Sequence, residues 1–303
     1  MRNSMFYTCM LFPVPRHMRN MASVCVKKSL SYVKYLKFRR ILKLNCFSST
    51  SFGVRLHSTS QIGSVTEEDG ATQRGQYRGH RPTTPLQKTL LTLGSAAMAI
   101  LHPDRGDMIA TLGDVTAETA LKQIKQKMES DPIGQQILRD QPVISTSTIS
   151  IDYLGSLGDN TFGKEYWRFL TKHGFSPDAR LPVHYVDDPE LVYVMLRYRQ
   201  CHDLFHTVLG MRPNMLGECV VKWVEAIQLG LPMCAMGALV GPIRLMPKHR
   251  QNYLTTYLPW ALRNGQNGKF LMNVYFEREW ERDLADLRQE LGLEPPPEEP
   301  YPR

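Results

Sequence analysis

Acidic residues are absent from the first 66 positions of this 303-residue chain, and the first carboxylate is Glu67. Those 66 positions contain 11 of the 37 Lys and Arg residues. The rest of the chain therefore has 26 basic residues against 29 acidic ones, so the net charge of +8 comes from the N-terminal leader. A basic surface for nucleic acid is not expected on the folded part.

The leader also lacks a long uncharged apolar segment. A basic, Ser-rich and acid-free segment of this kind is typical of a mitochondrial transit peptide rather than of a secretory signal. We therefore predict a transit peptide over residues 1–60, with a disordered basic tail as the alternative. Residues 61–83 have few large apolar side chains and are predicted to be a flexible linker.

The sequence also lacks the cysteine spacing of disulfide or zinc sites and the glycine spacing of nucleotide-binding loops. Outside the leader the chain has Cys201, Cys219 and Cys234, an odd number with no CxxC spacing, so neither disulfides nor a Cys-type zinc site is indicated. Cys201 and Cys219 fit the apolar faces of predicted helices and are expected in the core. No glycine spacing indicates a dinucleotide fold, a P-loop or a nucleophile elbow.

Helical patterns dominate the remaining sequence. Helices are predicted over 85–101, from 116, from 132 to before 142, from 160 to 174, over 189–209, after 213, over 250–265 and over 269–292. Residues 143–151 alternate like a strand, but they have no second strand to pair with, so we predict an extended loop or a helix start. The result is one all-α domain over 84–292, followed by a Pro- and Glu-rich tail over 293–303.

The helix over 189–209 carries the chemistry. Asp188 suits its N-cap and Gly210 the position just past its end. His202 and His206 lie one turn apart on one face, and Asp203 reaches the same region. Glu218 follows on the next helix. Two imidazoles and two carboxylates in this arrangement predict a site for a divalent metal of the zinc, iron or manganese kind.

His202 and Glu218 also allow an interpretation without a metal. On a helical wheel His202 lies within the apolar stripe, His206 on its edge and Asp203 beyond it, which predicts a site at the rim of the core, open on one side. His202 could instead be a core histidine bonded to a carbonyl. Glu218 lies opposite the apolar face of its helix, four residues before Lys222, so it could belong to an ordinary solvated face.

Two further expectations concern residues on and near this helix. Arg197 or Arg199 could contact a substrate carboxylate, but both are expected at the surface and are left out of the site. The histidine spacing also occurs in HExxH zinc proteases, but Asp203 is one methylene shorter than their general base, which makes a metal-dependent hydrolase a weaker hypothesis.

The spacing His202-Asp203-x-x-His206, then eleven residues, then Glu218 resembles the signature of the mitochondrial ubiquinone (coenzyme Q) biosynthesis proteins numbered four in that pathway. Further blocks resemble the same family, at 84–88, 94–107, 161–166, 175–180, 186–206 and 217–233. The resemblance covers about residues 80–290.

The resemblance implies an all-helical, usually dimeric protein, peripheral on the matrix face of the mitochondrial inner membrane, within a multiprotein complex of ubiquinone-biosynthesis enzymes. It implies loss of the C1 carboxyl group from 4-hydroxy-3-methoxy-5-polyprenylbenzoate, giving 2-methoxy-6-polyprenylphenol and CO2. It also carries over His202, Asp203, His206 and Glu218 as ligands of a divalent metal, with Zn²⁺ expected.

The apolar segment 229–246, interrupted by Gly and Pro, is expected to form the groove for the polyprenyl chain. Plain core or a dimer surface is the alternative for this segment. The rival function is a lipid-binding scaffold that organises the biosynthetic complex without catalysis.

Overall fold

A computed structural model describes residues 77–102 and 105–297. The predicted transit peptide, residues 61–76 of the predicted linker and the end of the predicted tail lie outside these residues. The described part contains no β-strand, and its isolated antiparallel bridge joins Thr161 to Asp283. The predicted all-α fold is therefore confirmed.

Twelve α-helices occur in the described residues. They are α1 (Pro85–Leu101), α2 (Gly106–Thr116), α3 (Glu118–Glu129), α4 (Pro132–Asp140), α5 (Ile151–Ser156), α6 (Phe162–His173), α7 (Pro189–Leu209), α8 (Met215–Leu229), α9 (Pro232–Val240), α10 (Pro247–Asn252), α11 (Leu258–Asn267) and α12 (Leu284–Glu290). A π-helical turn, Tyr253–Tyr257, joins α10 to α11, and four 3₁₀ turns lie at Pro177–Ala179, Gly241–Arg244, Leu271–Asn273 and Phe276–Arg278.

Capping residues set the ends of the best-predicted helices. Thr84 and Gln87 form a capping box at the start of α1. Asp188 accepts a hydrogen bond from the Glu190 N–H at the start of α7, 2.9 Å away. Gly210, at φ 67°, ends α7 in the left-handed conformation that glycine adopts without strain. The predicted bounds of α1 and α7 are confirmed.

The strand-like segment 143–151 forms a turn followed by the start of α5, as expected. Hydroxyl side chains of this segment form hydrogen bonds with nearby backbone groups, which are then not available to a neighbouring strand. Thr148 Oγ1, for example, donates to the Val143 carbonyl oxygen, 2.6 Å away. Ser150 then caps α5 by accepting from the Tyr153 N–H.

The prediction of one helix over 269–292 is wrong. Only α12 is α-helical there, and it begins after Asp283, which accepts from the Ala285 N–H at 2.8 Å. The carbonyl groups of Trp280 and Arg282 instead accept hydrogen bonds from the first N–H groups of α6. These carbonyls are committed to α6, so the segment before α12 cannot continue as a regular helix.

The central helices are α7 and α8. α7 packs against α3, α6, α8 and α12, and α8 packs against α9 and α11. Of the 21 residues of α7, 16 are buried, so this helix has no solvent-facing side over most of its length. His206 and Asp203 are both 0% exposed, so the predicted position at the rim of the core is wrong. Cys201 and Cys219 lie in the core, as predicted.

Residues on both sides of the predicted 84–292 domain contact the helical body. Tyr77 Oη donates to the Val186 carbonyl oxygen at 2.9 Å. At the other end Leu293 is buried, and Trp260 Nε1 donates to the Pro295 carbonyl oxygen at 2.8 Å. Within the described residues, no helix is both long enough and apolar enough to cross a membrane.

Candidate metal centre

The turn between α7 and α8 brings Glu218 back toward the histidines of α7. Asn214 caps α8 by accepting from the Gly217 N–H at 2.9 Å. Any side chain at Gly217 would overlap the Arg212 carbonyl oxygen, so only glycine allows the turn to be this tight. Glu218 follows directly and therefore faces α7 instead of solvent.

Three of the four predicted ligands converge. Glu218 Oε2 lies 3.5 Å from His202 Nε2, and Glu218 Oε1 lies 3.3 Å from His206 Nε2. One ligand atom from each of the three residues lies within 4.8 Å of the other two, and all three side chains are buried. The interpretation of Glu218 as part of a solvated face is therefore wrong. Its position matches the metal hypothesis instead.

The two imidazole rings are oriented by their other nitrogen atoms. His206 Nδ1 lies 3.1 Å from the Met211 carbonyl oxygen, which can only accept, so Nδ1 carries the hydrogen. His202 Nδ1 lies 2.6 Å from Glu225 Oε1 and donates in the same way to the ionised carboxylate. Both Nε2 atoms therefore face Glu218, which is the orientation that two imidazoles need in order to bind a metal beside that carboxylate.

His206 Nε2 is a buried atom that makes no hydrogen bond. A buried polar atom without a hydrogen bond normally costs about 1–3 kcal/mol, so this position needs an explanation. A divalent cation beside the two Nε2 atoms and the Glu218 carboxylate would supply it. The donor set of two imidazoles and one carboxylate fits a catalytic zinc type of site.

Asp203 is placed differently from the other three predicted ligands. It is completely buried, and its carboxylate contacts the guanidinium group of Arg180. It does not belong to the group formed by His202, His206 and Glu218. Its role as a metal ligand stays a prediction.

A second buried layer of charge supports the site and was not predicted. In addition to the bond from His202, the Glu225 carboxylate accepts hydrogen bonds from Lys222 Nζ at 2.6 Å, Tyr198 Oη at 3.0 Å and the Cys234 thiol at 3.3 Å. Lys222 and Glu225 are three residues apart, which is compatible with an ion pair on any exposed helix face. Nothing in that spacing indicates that the pair is buried behind a histidine.

The electrostatic effects keep the carboxylates of the site ionised. Burial alone would raise the pKa of Glu218, but His206 and His202 outweigh burial and hold this pKa well below its usual range. Burial likewise opposes ionisation of Glu225, yet Lys222 and His202 lower its pKa to about 2. Lys222 keeps its charge because Glu225 raises its pKa despite burial.

The two arginines expected at the surface are buried, so that expectation is wrong. Arg197 is 0% exposed and forms an ion pair with Glu277. Arg199 pairs with Asp114 at 2.7 Å and also donates to the Leu181 and Pro182 carbonyl oxygens. Both arginines therefore join α7 to its neighbours, in keeping with their omission from the site.

An apolar cavity lies against the Glu218 side of α8. Most of its wall is apolar, and its charged lining residues are Glu218, Lys222 and Arg244. The full lining comprises Ala99, Ile100, Ile109, Met215, Glu218, Cys219, Lys222, Met233, Met236, Gly237, Val240, Gly241 and Arg244. Six of these residues belong to the apolar segment 229–246, which the sequence analysis predicts to be a polyprenyl groove.

Known proteins are similar in sequence to this chain. The family model for "Coenzyme Q (ubiquinone) biosynthesis protein Coq4" matches residues 77–297. The mitochondrial ubiquinone biosynthesis protein COQ4 homologue of Homo sapiens is 51% identical over 221 residues, which cover 73% of this chain and 83% of that protein. The homologue of Aedes aegypti is 53% identical over 211 residues, with 70% and 77% covered.

A crystal structure of a Nostoc punctiforme protein, provisionally assigned to ubiquinone biosynthesis, has a similar fold. Its TM-score is 0.54 at 19% sequence identity, and the match covers 70% of this chain and 99% of that one. At this identity the likeness concerns the fold alone.

Proposed function

The chain belongs to the Coq4 family of coenzyme Q (ubiquinone) biosynthesis proteins, and on this premise we propose that it is a metal-dependent carboxy-lyase of that pathway. The proposed reaction converts 4-hydroxy-3-methoxy-5-polyprenylbenzoate to 2-methoxy-6-polyprenylphenol and CO2. The observation that carries the proposal is the buried group of His202, His206 and Glu218, whose carboxylate also lines the apolar cavity.

The metal ligands would be His202, His206 and Glu218, with Asp203 as the predicted fourth and Zn²⁺ as the predicted ion. A divalent cation held by these residues would supply Lewis-acid chemistry, which would orient the substrate carboxylate or phenolate and stabilise negative charge. Glu225 and the Met211 carbonyl group hold the two rings with Nε2 toward the site. The orientation of both rings is therefore set by this chain's own residues.

Decarboxylation requires a proton at the carbon that loses CO2. The C1–carboxyl bond breaks, its electron pair stays on the aromatic ring, and a proton replaces the carboxyl group at C1. Lys222 Nζ carries protons, lines the cavity beside Glu218 and is fixed by Glu225 and Tyr198. We assign the proton transfer to this ammonium group, whose charge would also attract the anionic head group.

The apolar remainder of the cavity suits the polyprenyl chain. Met233, Met236 and Val240 of α9 line it together with Ala99 and Ile109. Flexible methionine side chains adapt to a long, irregular apolar ligand. We accordingly propose that the aromatic head group binds at the α8 wall and the prenyl tail along α9.

Location and partners follow the family. The names of the Homo sapiens and Aedes aegypti relatives describe them as mitochondrial. We accordingly propose a homodimer that is peripheral on the matrix side of the mitochondrial inner membrane. It would work in a complex with other ubiquinone-biosynthesis enzymes.

The direct test is turnover of the prenylated benzoate by the purified chain, loaded in turn with Zn²⁺, Fe²⁺, Mn²⁺ or Mg²⁺. Product is measured by mass spectrometry and bound metal by elemental analysis. We expect His202→Ala to lose more than about 100-fold in activity, because loss of an outer-sphere partner alone costs 10–100-fold. His184→Ala, which changes a histidine before α7 and outside the metal group, is the matched control and should keep full activity.

The scaffold alternative has support of its own, because an apolar cavity can bind a lipid without any chemistry. The same experiment separates the two functions. A chain that holds no metal, binds the prenylated acid and leaves it unchanged would be a scaffold. Full turnover by His202→Ala would also remove the catalytic proposal.

A further inference from the structure

Helix α1 turns an apolar face outward. Its exposed large side chains recur at intervals of four, three and seven residues along one side of the helix, with Leu101 adjacent. They are Leu86 (70% exposed), Leu90 (61%), Leu93 (65%), Ile100 (43%) and Leu101 (69%). We name these five residues the leucine face. A contiguous apolar face of this kind on a globular protein marks an interaction surface.

Two segments at or beside the leucine face contain basic side chains and no acidic ones. Neither α1 nor the segment 241–250 contains an acidic residue, whereas the chain beyond the leader has more acids than bases. Segment 241–250 contributes Arg244, Lys248 and Arg250. It lies beside the C-terminal end of α1, where the Arg244 guanidinium donates to the Ile100 carbonyl oxygen. Apolar side chains beside cations are suited to an anionic lipid surface.

The apolar cavity of the proposed site reaches the surface at the same place. Ile100 and Arg244 line the cavity and are both accessible to solvent, and Met246, two residues beyond Arg244, is 64% exposed. Glu218 and Lys222 line the α8 wall of the same cavity. A substrate with a polyprenyl tail dissolves in a bilayer rather than in water, so it would have to enter from lipid.

We infer that the leucine face docks on an anionic bilayer, so that the cavity between Ile100 and Arg244 receives the prenyl chain directly from the lipid. The entry of substrate rests on the proposed function, whereas the docking of α1 does not. A second copy of the chain is a poorer occupant. A symmetric pairing over this face would bring the cations of segment 241–250 toward one another and would cover the cavity.

Vesicle flotation of the full chain tests the docking surface. The vesicles contain phosphatidylcholine alone, or equal parts of phosphatidylcholine and phosphatidylglycerol. Raised salt screens attraction by the basic leader. We expect Leu90→Glu combined with Leu93→Glu to lower binding to the anionic vesicles by about tenfold or more, because two leucines no longer enter the lipid. Ile133→Glu combined with Val143→Glu is the matched control, since these side chains are 50% and 45% exposed elsewhere.

The control variant should bind the vesicles like the unchanged chain. Equal binding by both double variants would overturn the inference. Sedimentation velocity adds a second readout: a leucine-face variant that dissociates to a smaller species yet floats normally would assign the face to a second copy. Helical circular dichroism and the melting temperature verify that both variants are folded.

Turnover separates this inference from the proposed function. If the leucine-face variant still converts a water-soluble, short-prenyl benzoate but loses activity on vesicle-embedded substrate, both proposals are supported. If the unchanged chain converts neither substrate yet loses vesicle binding on the leucine-face substitution, the docking surface stands and the catalytic proposal fails. If the unchanged chain converts both substrates and the variant converts them equally well, the docking surface fails alone.

Discussion

The α7–α8 pair buries charged and polar side chains, whereas helix α1 exposes apolar ones, and both arrangements are unusual. At the centre, His202, Glu225 and Lys222 are nearly inaccessible to solvent, although polar and charged side chains normally remain outside. On α1, Leu86 and Leu93 are at least 65% exposed, although leucine normally lies inside. Such departures are expected where a protein binds something, and Lys222 of the centre and Ile100 of α1 line the same cavity.

The two regions also differ in how the departure is tolerated. Buried charges in α7 and α8 have partners of opposite charge, as Arg199 has in Asp114 and Glu225 has in Lys222. The leucines of α1 have no such compensation, and the helix is instead attached at its N-terminal end through Lys88 and Asp187, 2.6 Å apart. Single substitutions in α7 and α8 are therefore predicted to lower the free energy of unfolding strongly. Substitutions on the outer face of α1 should change it little.

The largest effect on stability is expected for Glu225→Gln. The substitution leaves the Lys222 ammonium buried without its carboxylate, and breaking such a pair costs about 3–5 kcal/mol in the free energy of unfolding. It also removes the acceptor that orients His202, so metal affinity should fall about 10–100-fold. Denaturant unfolding and competition with a zinc chelator measure the two quantities.

A double variant separates these two effects. Glu225→Gln combined with Lys222→Met removes both charges and should recover most of the stability, because neutral replacement of a buried pair is often neutral. The metal affinity should stay low, since His202 still lacks its carboxylate. Recovery of the affinity together with the stability would refute an orienting role for Glu225.

The same leucine-to-alanine change can be made in both regions. Leu204→Ala in α7, where the side chain is 0% exposed, should lower the free energy of unfolding by about 2–5 kcal/mol. Leu93→Ala in α1 should change it by less than about 0.5 kcal/mol, because the side chain is already in water. Chemical denaturation of the two variants without lipid measures the difference. Equal losses would mean that the leucine face is covered in solution.

The smallest effect concerns the attachment of α1. Burial tends to raise the pKa of Asp187, but hydrogen bonds from Lys88 and His80 outweigh it and lower this pKa. The stabilisation is therefore present above the unfolded-state pKa of about 3.9 and is lost as the pH falls through the folded-state value. The carboxylate is half-exposed, so the effect should stay below about 1 kcal/mol.

Comparison with Asp187→Asn isolates this effect. The difference in unfolding free energy between the unchanged chain and the variant should shrink between pH 7 and a pH of about 3. A difference that grows on acidification would show that Asp187 is not stabilised in its ionised form.

Local signals predicted the helix bounds well. Thr84, Asp188 and Gly210 act through hydrogen bonds or φ values within a few residues of themselves, and such information is present in a short stretch of sequence. The prediction of a helix before α12 was wrong because the deciding contacts are distant in sequence. Trp280 and Arg282 pair their carbonyl groups with α6, more than one hundred residues earlier, and no local pattern contains that contact.

The sequence was sufficient to predict the two histidines of the site, but only partly its carboxylates. His202 and His206 share a face at a four-residue spacing, whatever surrounds the helix. Glu218 required the tight turn at Gly217 to bring α8 back onto α7, and on a helical wheel it belongs to a polar face. A wheel assumes that one side of a helix meets water. α8 is buried on nearly all sides, so its polar stripe faces the site.

The most direct measurement of the central claim is a metal titration of the full chain against a competing chelator. The unchanged chain is predicted to bind one Zn²⁺ tightly, through His202, His206 and Glu218. His206→Ala and Glu218→Ala should each lose more than about 100-fold in affinity, beyond the 10–100-fold expected for an outer-sphere partner. His184→Ala should bind like the unchanged chain. Equal affinity in all four proteins, or no zinc binding by the unchanged chain, would contradict the account.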